Sequence, residues 1–203
     1  MPGAPVEGSA GLKIINTEGM AFLGPGSEWF WAMVQALIIG FTLVFIFQQL
    51  HAMKLANALG EMRKLTERWE STSMAQARLS VAVDLRDSTE KPMTHAARSI
   101  AELFSDIYAL RDRGVLSDRD VMEAWAARCD GWWVLLGPTV TRFRTAEASE
   151  KLYLGFEELA KSARWKAAKW GMTPAGTDDA SRGALIATAI KRAQATIESQ
   201  PAA

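Results

Sequence analysis

One uninterrupted run, WFWAMVQALIIGFTLVFIFQQL at residues 29–50, places 22 consecutive positions in a row without a charged side chain. Wound as an α-helix it is about 33 Å long, against a bilayer hydrocarbon core of roughly 30 Å. Ile38, Ile39, Phe41, Leu43, Val44, Phe45, Ile46 and Phe47 fall on every side of such a helix, whereas the surface helix of a globular domain keeps its apolar residues to one stripe. The run therefore predicts a membrane-spanning helix. A cleaved leader has a basic segment directly before a shorter apolar stretch and a small-residue site after it, a pattern these residues do not follow.

Charge on either side of the run sets the expected orientation. Residues 1–28 hold Lys13 with Glu7, Glu18 and Glu28, while the following stretch holds Lys54, Arg63, Lys64 and Arg68. The positive-inside rule then leaves a short extracytoplasmic tail at 1–28 and puts the C-terminal bulk in the cytoplasm, as for a single-pass protein of a bacterial inner membrane. Trp29 and Trp31 would sit at the outer interface, where an amphipathic indole is at home. The tail reads as a linker rich in Gly and Pro, with a small apolar patch at Ile14, Ile15, Phe22 and Leu23.

Composition narrows the function classes. With 23 basic and 23 acidic residues in 203, the chain has no net field of the kind that holds nucleic-acid phosphates. Its single cysteine, Cys129, excludes an internal disulfide, and with only two histidines it makes a poor structural zinc set.

After residue 50 the pattern predicts helices throughout, hence an all-α fold with a cytoplasmic bundle of about five helices: the membrane helix continues into a stalk at 51–70, a cytoplasmic helical domain follows at 71–171, and a linker and C-terminal helix at 172–203. The stalk carries Met53, Leu55, Leu59, Met62, Leu65 and Trp69. A second helix runs to Asp87 with Ala75, Leu79 and Ala82 on one face, and the cluster Ser88, Thr89, Lys91, Pro92 ends it. A third, with Ala96, Ile100, Leu103, Phe104, Ile107 and Leu110 at a 3.6-residue period, stops at Gly114. Ser117 and Asp120 open a fourth as a capping box, with Leu116 and Val121 as its hydrophobic staple. That helix is expected to end at Pro138, and a fifth to run from there to Gly171 through Val140, Phe143, Tyr153, Phe156 and Leu159. The third and fourth helices are expected to pair as an antiparallel hairpin about Gly114.

An apolar helix ending in RDRGVL (residues 111–116), followed by one closing on Trp132 and Trp133 behind a membrane helix and charged stalk, resembles a bacterial family of single-pass membrane proteins known only as a domain of unknown function. The resemblance covers residues 29–165. It implies an architecture, anchor plus cytoplasmic helical domain, and no catalytic residues.

Candidate sites follow from side-chain chemistry. Ala32, Ala36 and Gly40 recur every four residues and put small side chains on one face, so that another membrane helix can approach closely; Gln35 beside them can hydrogen-bond across the contact. Residues 161–170, KSARWKAAKW, bring Lys161, Arg164, Trp165, Lys166, Lys169 and Trp170 together without an acid and suit an anionic lipid surface. The same basic end equally complements the helix dipole. Cys129 lies on an apolar face beside Trp125 and Trp132, as a small hydrophobe does. His51, at the inner edge of the span, is placed either to be solvated or to ligate a cofactor in an assembly, and His95 has no triad-like neighbours in sequence. The helix-turn-helix spacing is a poor DNA reader, because Asp118, Asp120, Glu123 and Asp130 would repel phosphates.

These features point to a non-catalytic accessory or adaptor subunit of a membrane protein complex, with membrane lipids and a membrane protein, or a second copy, as partners and with no cofactor and no nucleic acid. The other reading is a membrane-tethered regulatory or sensor module that binds a soluble cytoplasmic partner. An enzyme ranks last, since no phosphate loop, metal quartet or nucleophile elbow is present. The orientation predicts that a cysteine introduced near Ser9 labels with an impermeant thiol reagent on intact cells while one near Ser181 does not; the reverse pattern would invert the topology.

Overall fold

The computed structural model describes residues 28–87, 92–171 and 173–199. Among them the chain is all-α: α1 (Glu28–Glu70), α2 (Thr72–Asp87), α3 (His95–Asp112), α4 (Asp118–Ala146), α5 (Leu154–Lys169) and α6 (Asp179–Ser199). The expected tail with Lys13 and its apolar patch, and the Ser88, Thr89 and Lys91 punctuation, lie outside the described residues. Two compact units divide the chain, residues 1–51 and 52–203. The first contains the apolar part of α1; the second contains the rest of α1 and a packed bundle of five helices, α2–α6.

The bundle core is built on rings. Trp69, one residue from the end of α1, is buried with its ring centroid 5.7 Å from Phe104 on α3, 5.9 Å from Trp125 and 6.3 Å from Trp132 on α4. Phe104 stacks on Phe156 of α5 at 4.9 Å, and Trp133 meets Phe156 edge-on at 5.0 Å. Edge-to-face and offset contacts of this kind add about 0.5–1.5 kcal/mol per pair to the burial of each ring. Ile100, Leu103 and Ile107 of α3, Val121 and Met122 of α4 and Leu159 of α5 fill the space around them. The 51–70 segment thus changes character along its length: Met53, Leu55 and Leu59 are exposed, whereas Leu65 and Trp69 belong to the core.

Local chemistry explains where the helices turn. Gly114 has φ +69° and closes α3 in a Schellman motif, Val115 N–H donating to the Leu110 carbonyl at 3.0 Å and Gly114 N–H to that of Arg111 at 2.9 Å. Ser117 then caps α4 by accepting from the Asp120 N–H at 3.1 Å, and its hydroxyl donates to the Asp120 carboxylate at 2.6 Å. Leu116 and Val121 are both buried, as a staple requires. Thr94 caps α3 through the Ala97 N–H at 3.2 Å.

Two expectations are corrected. Pro138 does not end the fourth helix: α4 runs through it to Ala146, so Val140 and Phe143 belong to α4. The residue before a proline resists helical geometry because its Cβ meets the pyrrolidine ring, and Gly137 has none. A Cβ there would also come within 3.2 Å of the Trp133 ring. Leu135, Leu136, Thr139 and Val140 are buried on both sides of the proline, and at about 1.5–3 kcal/mol per large apolar side chain their burial outweighs the roughly 3 kcal/mol of an internal proline.

The real break comes at 147–153, where no Gly or Pro stands, with Ala148 and Tyr153 in the left-handed region at φ 50° and 54°. Arg144 holds it. Its Nε donates to the Leu152 carbonyl at 2.6 Å and its Nη1 to Glu157 at 2.5 Å, and Lys161 and Arg144 together hold the Glu157 carboxyl below the usual carboxylate range. The second correction concerns the hairpin: α3 and α4 touch, but the main neighbour of both is α5, and α2 packs chiefly on α6.

Asp130 of α4, buried, accepts from Arg164 of α5 and from the Ala175 N–H at 2.7 Å. It thereby fixes the segment that leads into α6, whose Ile186 and Ala193 are buried. Replacing Trp132 by alanine is expected to cost about 3–5 kcal/mol, read by denaturant unfolding of the protein in detergent; a loss under about 1 kcal/mol would contradict the ring packing.

Candidate membrane-embedded interface

Among the described residues the apolar part of α1 is exposed on every side, apart from the half-buried Phe30 and Val34. Its most apolar 18-residue stretch has no buried residue, and by length and composition the helix is able to cross a membrane. Trp29 and Trp31 are exposed at the start of α1, with Phe30 edge-on to each at 6.2 and 5.7 Å. Ala32, Gln35, Ala36 and Gly40 are all exposed, on successive turns. A Cβ added to Gly40 meets nothing within 4 Å, so the small stripe is open rather than filled. Thr42, two residues on, donates its hydroxyl to the Ile38 carbonyl at 2.7 Å, which satisfies within the helix a polar group that lipid cannot. His51 is exposed.

The basic end of α5 is arranged differently from a free cationic patch. Lys161 pairs with Glu157 at 2.8 Å and Glu158 at 2.9 Å, Arg164 with Asp130, and Lys166 with Asp118. Asp118 also receives Arg111 at 3.0 Å. Lys169 stands over the Trp165 ring, 5.2 Å from its centroid. Both indoles face outward, Trp165 62% and Trp170 48% exposed, beside the exposed Lys161 and Lys169. Three of the four cations thus serve contacts within the bundle, which lowers what they contribute to an anionic surface.

Cys129 is fully buried, and burial together with the neighbouring Asp130 charge pushes its thiol well above the usual range; a thiol so placed is inert. His95 starts α3 next to its cap. Among the described residues no three His, Cys, Asp or Glu side chains converge as a metal site.

Sequence reasoning missed Arg78, Asp130 and Arg144 as structural actors. Arg78 had a visible signal: it falls three residues after Ala75 and four before Ala82, inside the apolar face of α2, where a charged residue needs a reason. Asp130 and Arg144 had none, because their partners are distant in sequence.

No family model, curated protein or solved structure matches the chain. What is established is a helical protein with one long apolar N-terminal helix, and no family is identified for it.

Proposed function

We propose that this chain is a single-pass membrane protein with its bundle in the cytoplasm, acting as a non-catalytic accessory or adaptor subunit of a membrane protein complex. The observation that supports this reading is the bare helix. Residues 29–50 carry large apolar side chains on all faces, none of them buried among the described residues, and water is an expensive neighbour for such a surface, at about 25 cal/mol per Å². Lipid removes that cost for the Ile and Phe faces. It does not explain the stripe of Ala32, Ala36 and Gly40, where short side chains let a second helix come close enough for backbone-to-backbone packing, with Gln35 at its edge.

Orientation rests on Lys54, Arg63, Lys64 and Arg68 following the span. Trp29 and Trp31 then lie in the outer interface, and Trp165 and Trp170 offer a second contact with lipid or a partner. The resemblance carried by residues 111–116 and the Trp132–Trp133 pair favours the same anchor-plus-domain plan.

The double variant Ala36→Ile, Gly40→Ile keeps the segment apolar, so it is expected to insert normally and to lose its co-purifying membrane partners, or its self-association, in mild detergent. Ile38→Leu on another face is expected to be silent. If the double variant inserts and retains the same partners in the same amounts, the helix is only a tether and the tethered regulatory module becomes the better reading.

A further inference from the structure

A groove of about 460 Å³ opens within the bundle between the end of α1, α2, α4 and α6. Its charged lining is Arg78, Arg128 and Arg192 against one carboxylate, Glu70. Arg78 is 6% exposed, an arginine in a place where charge is costly. Its guanidinium carbon lies 4.3 Å from the Trp69 ring centroid, its Nε donates to the Met74 carbonyl at 3.4 Å, and its Nη2 is buried without a hydrogen-bond acceptor.

Burial and the charge of Arg128 bring the Arg78 pKa down to about 10, with Glu70 opposing. The group is therefore still charged at neutral pH, desolvated and short of an anion. Arg128 faces the Trp125 ring at 5.1 Å, and neither it nor Arg192 has a carboxylate within ion-pair distance among the described residues.

We propose that this groove binds the phosphate group of a small hydroxyl-bearing phosphate monoester, Arg78 holding it at the wall and Arg128 and Arg192 closing on it from the open side. Three guanidinium groups against one carboxylate leave an excess of two positive charges, and a phosphate monoester at neutral pH carries about −1.5 to −2. Guanidinium is the side chain whose planar fork matches phosphate oxygens with paired hydrogen bonds. The volume falls in the range of small-molecule sites.

The other polar lining residues specify the rest of the ligand. The hydroxyls of Thr188 and Thr196 donate to their own helix, to the Ala184 carbonyl at 2.8 Å and the Arg192 carbonyl at 2.9 Å. Toward the groove their oxygens can only accept, so they call for hydroxyl donors on the ligand. The groove lies wholly within residues 52–203 and is independent of the membrane reading.

Calorimetric titration of the full chain in phosphatidylcholine nanodiscs, with inorganic phosphate and with glucose 6-phosphate at fixed ionic strength, tests the assignment. Both are expected to bind, the sugar phosphate more tightly. Arg192→Gln, at an exposed position, is expected to weaken both about tenfold, the loss of one charge-assisted contact. Arg78→Met is expected to abolish binding and to raise the melting temperature of the empty protein, since it removes an unpaired buried charge.

Should Arg78→Met not fold, the double variant Arg128→Gln, Arg192→Gln carries the test, with binding expected to vanish. Nanodiscs containing phosphatidic acid separate a soluble ligand from a lipid headgroup: binding unchanged there supports the soluble source, and its loss through competition overturns it in favour of lipid. Absence of millimolar binding by the unmodified chain, or undiminished binding by the double arginine variant, would overturn the site itself.

Discussion

Trp69 is the residue on which the arrangement of the bundle turns. It lies one residue from the end of a helix in which Leu65 is the other buried residue, and its indole is buried among Phe104, Trp125 and Trp132, on two other helices. Without it, α3 and α4 would share fewer rings and α2 would start from an unfixed point, because α2 follows α1 after the single bend residue Ser71, whose hydroxyl donates to the Arg68 carbonyl at 2.7 Å. Phe156 extends the same aromatic layer to α5 through its stack on Phe104. A chain of this size with no disulfide depends on such shared burial for stability.

The polar groups show a division of labour. Asp130, Arg144 and Glu157 are spent on holding turns and segments in place, and each charge has a partner. Arg78 differs in that it stacks on Trp69 and has no carboxylate within ion-pair distance among the described residues. The aromatic layer and the arginine groove share Trp69 and Trp132 as walls, so residues that stabilise the bundle also shape this groove.

Much of the architecture was legible because it is written in short-range chemistry. The charge-free run announces α1; Gly114, Ser117 and the staple pair announce the α3–α4 turn; period and caps mark α3. Reading failed where tertiary packing decides. Pro138 looks like a stop, yet Gly137 before it and the buried residues around it let α4 continue. Residues 147–153 look helical by composition, yet Arg144 reaching the Leu152 carbonyl stabilises a break there.

The pairing of helices was not legible either, since α5 as common neighbour of α3 and α4 follows from Phe156 meeting rings of both. Of the candidate interface, the stripe and the tryptophans could be read, but not the matching of Arg164 and Lys166 to carboxylates 34 and 48 residues away.

α1 thus has two environments: its apolar length, long enough to cross a membrane, has no buried residue, and its last turns belong to the bundle core. Hydrogen exchange followed by mass spectrometry on the chain in nanodiscs tests this most directly. Amides of residues 29–50 are predicted to be protected by the bilayer, and those of 62–70 to exchange as slowly as the α4 core at 121–136. Amides of 52–60 between them are predicted to exchange faster, as in an exposed helix. Uniformly fast exchange from 52 through 70 would contradict the account, for Trp69 would then not be holding the end of α1 in the bundle.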